Sequence, residues 1–202
     1  MPPSPRFTRE RLQAAALAIV DTQGADTLSM RSLAAALGTG PMTLYNYVQD
    51  REALDALVVE GVMANAAWPS PTGDWRKDVR RIAMATWAAI HAHPGAVSLI
   101  LARRGAHPSL LEPAEALLAA LAAGGRSGPG LLAAFRAVHG YIFGFALIRV
   151  PEARGPDRTV ERVQALPREQ YPRLVEAAGA ASALDLDQEF AAGLEIVLAG
   201  LA

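Results

Sequence analysis

Ser29-Met30-Arg31-Ser32-Leu33-Ala34-Ala35-Ala36-Leu37-Gly38-Thr39-Gly40-Pro41-Met42-Thr43-Leu44-Tyr45-Asn46-Tyr47-Val48 is the stretch that decides the fold. Met30, Leu33, Ala34 and Leu37 fall at i, i+3, i+4 and i+7, the spacing of one apolar helix face. Gly38 stands where a helix C-terminus favours a left-handed residue. Pro41 then opens a second short helix, because the first turn has no use for the N–H that proline lacks. Leu44 and Val48 anchor that helix inward. Two short helices joined by a glycine-containing turn are a helix-turn-helix layout.

The outward side of the second helix suits a base-pair edge. Gly40, Pro41, Met42, Thr43 and Asn46 are small or polar, and Tyr45 and Tyr47 offer hydroxyls at the height of a DNA backbone. Met42 and Thr43 present apolar surface to a thymine methyl, and Asn46 can hydrogen-bond a base or phosphate. Arg31, early in the first helix, reaches a guanine edge in this layout, a pairing worth about 1–3 kcal/mol of discrimination. Spacing alone also fits a generic helical hairpin whose tyrosines cover its core.

Flanking helices brace the pair. Thr8 caps a helix running to about Thr22, with Leu12, Ala15, Ala16, Ile19 and Val20 as its stripe. Asp50 caps a longer one carrying Leu54, Leu57, Val58, Gly61 and Val62. Trp68-Pro-Ser-Pro-Thr-Gly73 breaks the pattern and marks a boundary. Beyond it, helices are expected over Asp74–His93, Ala96–Arg103, Leu110–Ala123, 131–149, Arg168–Ala178 and Leu186–Leu201. Pro151–Pro167 reads as a mobile loop. There are no repeats and no strand-like alternation, so the expected class is all-α. A three-helix helix-turn-helix domain (1–50) is joined by a linking helix (51–67) to a helical effector-binding and dimerisation domain (68–202).

Composition agrees. Of 202 residues, 51% are hydrophobic, 19% charged and 6% aromatic, a globular balance that favours helix over sheet. The absence of cysteine excludes disulfides, thiolate metal sites and cysteine nucleophiles. Met1-Pro-Pro-Ser-Pro-Arg6 lacks the apolar run of a signal peptide, so a cytoplasmic protein is expected. Leu131–Val150 is apolar, but Arg136, His139 and two glycines interrupt it. A helix buried in protein, with no membrane partner, is the expectation there. Net charge is −1 overall, and residues 1–60 hold five arginines against seven acids. Any DNA affinity must therefore come from placement rather than a basic patch.

Leu33-Ala34-Ala35-Ala36-Leu37-Gly38, then Pro41-Met42-Thr43-Leu44-Tyr45-Asn46-Tyr47-Val48, then Arg51-Glu52-Ala53-Leu54, resembles the TetR family of repressors over about residues 8–62. The resemblance implies a homodimer that sets two heads in successive major grooves of a pseudo-palindromic operator on double-stranded DNA. It places Arg31, Gly40, Pro41, Met42 and Thr43 near bases, and Tyr45, Asn46, Tyr47 and Arg51 near phosphates. Gln49 stands where the family often has a basic residue, and Arg6 and Arg9 are further candidates for backbone contact.

The C-terminal part is more distantly similar to the tetracycline-repressor subclass, through Trp75-Arg76, His93-Pro94 and Gly140-Tyr141 to Gly144. In that subclass the drug enters as a magnesium chelate gripped by a histidine. Ile82 and Thr86 occupy the corresponding helix here, no histidine falls between His93 and His107, and no metal or other cofactor is expected. His91 and His93, two apart on a helix, point different ways and do not share a metal. The effector-pocket candidates are Met84, Trp87, His91, His139 and Phe143. The dimer candidates are Phe135, Phe190, Leu194 and Val197. Ordinary core packing is the competing reading of both sets.

No nucleophile elbow, phosphate-cradling glycine motif or paired ligand motif supports an enzyme. The expected function is a repressor released by a small-molecule effector. The alternatives are a helical protein-interaction module, or an activator without small-molecule control.

Overall fold

The computed structural model describes residues 7–103, 107–149 and 158–201, and among these every regular element is helical. The head contains α1 (Arg9–Gln23), α2 (Met30–Ala36) and α3 (Pro41–Leu44), followed by α4 (Arg51–Ala64). The body contains α5 (Trp75–Ala92), α6 (Val97–Arg103), α7 (Pro108–Ala123), α8 (Gly128–Arg149), α9 (Thr159–Gln164), α10 (Pro172–Ala181) and α11 (Leu186–Gly200).

The head starts its helices where the caps allow. Thr8 accepts the Arg11 amide, Asp50 accepts the Ala53 amide, and Ser29 and Ser32 form a reciprocal capping box at α2. Each side chain satisfies an amide that the first helical turn leaves without a partner. Gly38 has φ 63°, which ends α2 in the left-handed conformation its position requires. Helix α3 stops at Leu44, earlier than the sequence suggests. A turn then carries the chain on, with the Tyr47 and Val48 amides both bonded to the Leu44 carbonyl. Leu28, Leu33, Leu44 and Leu54 are fully buried and lock these short helices together.

One continuous apolar core runs from the head into the body, from Phe7 to Leu198. Helix α4 joins the two, with nine of its fourteen residues buried between them. A second junction lies at Gly95, just after α5. A Cβ on Gly95 would run into the Val20 carbonyl oxygen, and His93 beside it pairs with Asp21 at 2.9 Å. The segment between α4 and α5 is pinned as well. Thr72 donates its amide and hydroxyl to Asp78 at 2.8 and 2.7 Å, holding that carboxyl below its ordinary range.

Two expectations change. The polar stretch before Pro167 contains α9, whose Gln164 donates to the Ala178 carbonyl and the Ser182 hydroxyl of the α10 segment. Residues 151–157 of that stretch, Gly105 and Arg6 lie outside the described residues. Helix α8 packs on α5, α6, α7 and α11. Its most apolar window has mean hydropathy 1.7, yet only 28% of that window is buried by its own chain. It is long and apolar enough to cross a membrane by length and composition alone.

Gly95→Ala is expected to lower folding stability by about 1–3 kcal/mol, because the added methyl meets backbone and not a movable side chain. Urea unfolding followed by far-UV circular dichroism tests this. A midpoint equal to that of the parent chain would show that the junction yields freely.

Candidate functional site

The head presents the face that the sequence assigns to it. Met42 is 79% and Tyr45 47% exposed, while Leu44 directly between them is fully buried. Arg31, Gly40, Pro41 and Asn46 are also exposed, and Thr43 is half-buried. Tyr47 is half-buried because its ring meets the edge of Phe7 at 5.9 Å. The predicted contact residues Arg31, Gly40, Pro41, Met42, Thr43, Tyr45 and Asn46 thus sit on or beside one open surface of α2 and α3.

Arg51 departs from its expected role. Its Nε donates to Asp55 at 2.7 Å, Nη1 to the Leu28 carbonyl at 2.8 Å and Nη2 toward Ala25 at 3.4 Å. The guanidinium braces the entry to α2 against α4, so little of its fork is left for a phosphate. The other arginines of the head are largely committed too. Arg9 pairs with Glu60 at 2.5 Å, and Arg11 lies over the Phe7 ring at 5.2 Å. Among the described residues, Arg31 is the head arginine with no hydrogen bond, ion pair or ring contact.

Helix α4 carries two polar clusters that tie head to body. Buried Asp55 receives Arg51 from the head side and Arg103 of α6 at 3.4 Å from the body side; Arg103 also reaches Glu52 at 2.9 Å. One turn further on, Glu60 receives Arg9 and Gln13 of α1 and faces His107 Nε2 at 3.4 Å. His107 also caps α7, its Nδ1 accepting the Ser109 amide. The assigned tautomer therefore leaves the proton on Nε2, facing Glu60. Burial works to raise the Glu60 pKa. The hydrogen bonds from Arg9 and Gln13, with the charge of Arg9, outweigh it and leave the carboxyl below its ordinary value.

A cavity of about 580 Å³ opens in the body between α5, α6, α7 and α8, with the end of α4 closing one side. Ile82 and Thr86 face it from α5; Phe135, Arg136, His139 and Phe143 face it from α8; Met63 and Trp68 form its head-side wall. That volume lies within the usual range for small-molecule sites. Trp68 donates its Nε1 proton to the Met63 carbonyl at 3.2 Å, so the wall is fastened to the last turn of α4.

Of the predicted pocket residues, His139 and Phe143 line this cavity. Met84, Trp87 and His91 do not, because they occupy another face of α5. Trp87 is fully buried, stacked on Phe190 at 5.0 Å and on His91 at 4.8 Å, with its Nε1 bonded to Asp187 at 2.6 Å. The dimer candidates also divide. Phe190 and Leu194 are fully buried in the chain's own core, Val197 is half-buried, and Phe135 lines the cavity. Both sets rest on helix membership, which does not say which face meets which neighbour. Arg103, Asp55, Glu60 and His107 were missed as a group, since only contacts across the chain reveal them. Among the described residues, no group of three or more His, Asp or Glu side chains could hold a metal ion.

An open helix-turn-helix face is thus joined by a buried helix to a body with a small-molecule-sized cavity. The comparisons agree. The family described as tetracyclin repressor-like, C-terminal domain, matches residues 69–202. The chain is 33% identical over 159 residues to the HTH-type transcriptional repressor DrrR1 of Streptomyces coeruleorubidus, covering 78% of this chain and 59% of that protein. It is 32% identical over 141 residues to an HTH-type transcriptional regulator of Saccharopolyspora erythraea, covering 69% and 60%. The chain thus spans about three fifths of the length of the curated relatives it matches. Among solved structures, ActR of Streptomyces coelicolor in complex with actinorhodin superposes with a TM-score of 0.76 at 31% identity, covering 96% of each chain. The chain belongs to the TetR family of transcriptional regulators.

The Glu60 cluster yields a pH prediction. A carboxyl whose pKa is depressed on folding adds stability above its ordinary value, 4.5, and loses it as the pH falls through the lower folded value. Glu60→Gln should therefore be less stable than the parent chain at pH 7, with the gap closing as the pH drops below that range. Urea midpoints of both proteins at a series of pH values test this. A gap independent of pH would contradict the charge argument.

Proposed function

We propose that the chain is a ligand-responsive transcriptional repressor of the cytoplasm, not an enzyme, which binds a pseudo-palindromic operator as a homodimer and is released by a small molecule in the cavity. The observation that carries this reading is the double membership of α4. Its last turn, at Met63, lines the cavity, while Arg51 and Glu60 on the same helix hold the head. A ligand that reshapes the Met63–Trp68 wall acts directly on the helix that sets the position of the head. Half-sites one helical turn apart require heads about 34–36 Å apart, so a shift of a few ångströms weakens binding. DrrR1 is a repressor and ActR has been solved with actinorhodin, which supports both parts of the reading.

In this reading the homodimer forms through the uncovered sides of α8 and α11. Leu132 and Ile148 on α8 and Ile196 on α11 are 46%, 76% and 76% exposed, which a monomer would leave as apolar surface in water. They replace Phe190 and Leu194, whose side chains are spent in the chain's own core. A charge in that face should separate the copies, so Ile196→Glu is expected to run as a folded monomer in analytical ultracentrifugation. A dimer of unchanged affinity would place the interface elsewhere.

The reading head is tested by selecting bound duplexes from a random library and repeating the selection with small-molecule extracts present. A two-fold symmetric consensus is expected, lost when an effector is added. Thr43→Ala and Tyr45→Ala should each weaken binding to that consensus by at least about tenfold, as expected when a base or phosphate contact worth about 1–3 kcal/mol is lost. Full binding by a folded double variant would reject this face. Effectors that bind but leave operator affinity unchanged would reject the release mechanism.

A further inference from the structure

We propose that Met42 is an oxidation site that switches off the reading head: a hydroperoxide converts its thioether to the sulfoxide, and the modified head releases its duplex. The inference rests on the reading of this face as the DNA contact. Met42 is 79% exposed, more than any other large hydrophobic side chain among the described residues. Ile148 and Ile196, which come next, belong to the face given to a second copy. Met42 stands on the head instead, so in the free protein its sulfur is open to a small oxidant. The helix dictates that exposure. Leu44, two residues on and therefore on the opposite side of α3, is fully buried and turns Met42 outward.

The chain leaves an oxidant few other targets. It has no cysteine, so no thiolate reacts first. Of the other methionines among the described residues, Met63 is buried, and Met30 and Met84 are half-buried against the apolar core. The reaction is a two-electron oxygen transfer. A lone pair of the thioether sulfur attacks one peroxide oxygen, and the S–O bond forms as the O–O bond breaks. The second oxygen takes the proton of the first and leaves as water, so sulfur is oxidised and the peroxide reduced. The product is polar where the thioether was apolar. Against a thymine methyl the new oxygen has no donor to meet, and the neighbouring phosphates are themselves acceptors. A donor borrowed from Tyr45 or Asn46 would be one withdrawn from the DNA.

In the test, the full chain is treated with graded hydrogen peroxide, and sulfoxide at each methionine is quantified by peptide mass spectrometry. Binding to the consensus duplex from the random-library selection is then followed by fluorescence anisotropy. Met42 is expected to oxidise ahead of Met30, Met63 and Met84. Affinity should fall at least about tenfold in step with the Met42 sulfoxide, the usual consequence of burying a polar group without a partner. Methionine sulfoxide reductases A and B together should restore binding. Met42→Leu keeps the other methionines and loses the sulfur, so its affinity, whatever its starting value, should not change on treatment. Duplex added before the peroxide should shield Met42 while leaving oxidation of Met84 in the body unchanged.

A parent chain that binds as before with Met42 fully converted to sulfoxide would overturn the inference and leave the reading head standing. A fall of equal size in Met42→Leu would move the sensitivity to another residue and overturn the role of Met42. Oxidation of Met30 or Met84 ahead of Met42 would overturn the open thioether on which the proposal is built. An untreated parent chain that binds no selected duplex would overturn the reading head, and the switch with it.

Discussion

Helix α4 cannot move without disturbing both halves of the molecule, and the rest of the structure depends on that constraint. Leu54, Leu57, Val58, Val59 and Val62 are each at most 1% exposed, so the helix is buried on several sides at once. Such a helix has little solvated surface on which to place polar groups. Its buried Asp55 and partly buried Glu60 are each answered by more than one partner, Asp55 by Arg51 and Arg103, Glu60 by Arg9, Gln13 and His107. An acid left unanswered there would cost far more than a surface pair contributes. The clusters therefore act less as glue than as fixed registers, defining where α4 lies relative to α1 on one side and α6 and α7 on the other. Close-packed interiors yield by switching between arrangements rather than by bending smoothly.

The same clusters explain the electrostatics of the head. Residues 1–60 carry more acids than arginines, and most of the described arginines among them are occupied. Arg9 neutralises Glu60, Arg51 holds the α2 entry, and Arg11 covers Phe7. What faces outward is mostly neutral: Thr43, Tyr45, Asn46 and the backbone around Gly40. In the proposed function, a head built this way binds a duplex through hydrogen-bond donors and shape more than through released counterions. The dependence of its affinity on salt should therefore be shallow, since that slope scales with the number of phosphates neutralised. Arg31 is the exception, and in the proposed function it is the cation left for a base edge.

Local chemistry was legible in the sequence and long-range neighbourhood was not. Thr8, Asp50 and Gly38 mark helix ends by mechanisms that act within four residues, and the structure uses all three. The burial of Leu44 against the exposure of Met42 followed from spacing alone. Helix α5 shows where this stops. Met84, Trp87 and His91 do share a face, at i, i+3 and i+7, but Ile82 and Thr86 share another, and both faces are apolar enough to be inside. Periodicity reports that faces exist; only the packing of α11 on one and of the α7–α8 side on the other tells cavity from core. Arg51 teaches the same lesson. Its pairing with Asp55 is an ordinary i, i+4 contact, whereas its bonds to the carbonyls of Leu28 and Ala25 span 23 and 26 residues.

The position of the cavity along α4 bears on how a bound molecule would be felt. Fourteen residues of helix span about 20 Å. The polar contacts with the head lie in the first three turns, at Arg51 and Glu60, whereas the cavity touches only the last, at Met63. In the proposed mechanism, a ligand that displaces Met63 and the attached Trp68 therefore pushes on the free end of a lever already gripped along its length. Gly95 against Val20 and His93 against Asp21 hold the far side of α1, which limits simple sliding of the head across the body and favours rotation about that junction. The ligand can shift the head only by as much as it prefers one arrangement to the other. That preference has to arise where the wall differs between the two, at Met63 and Trp68.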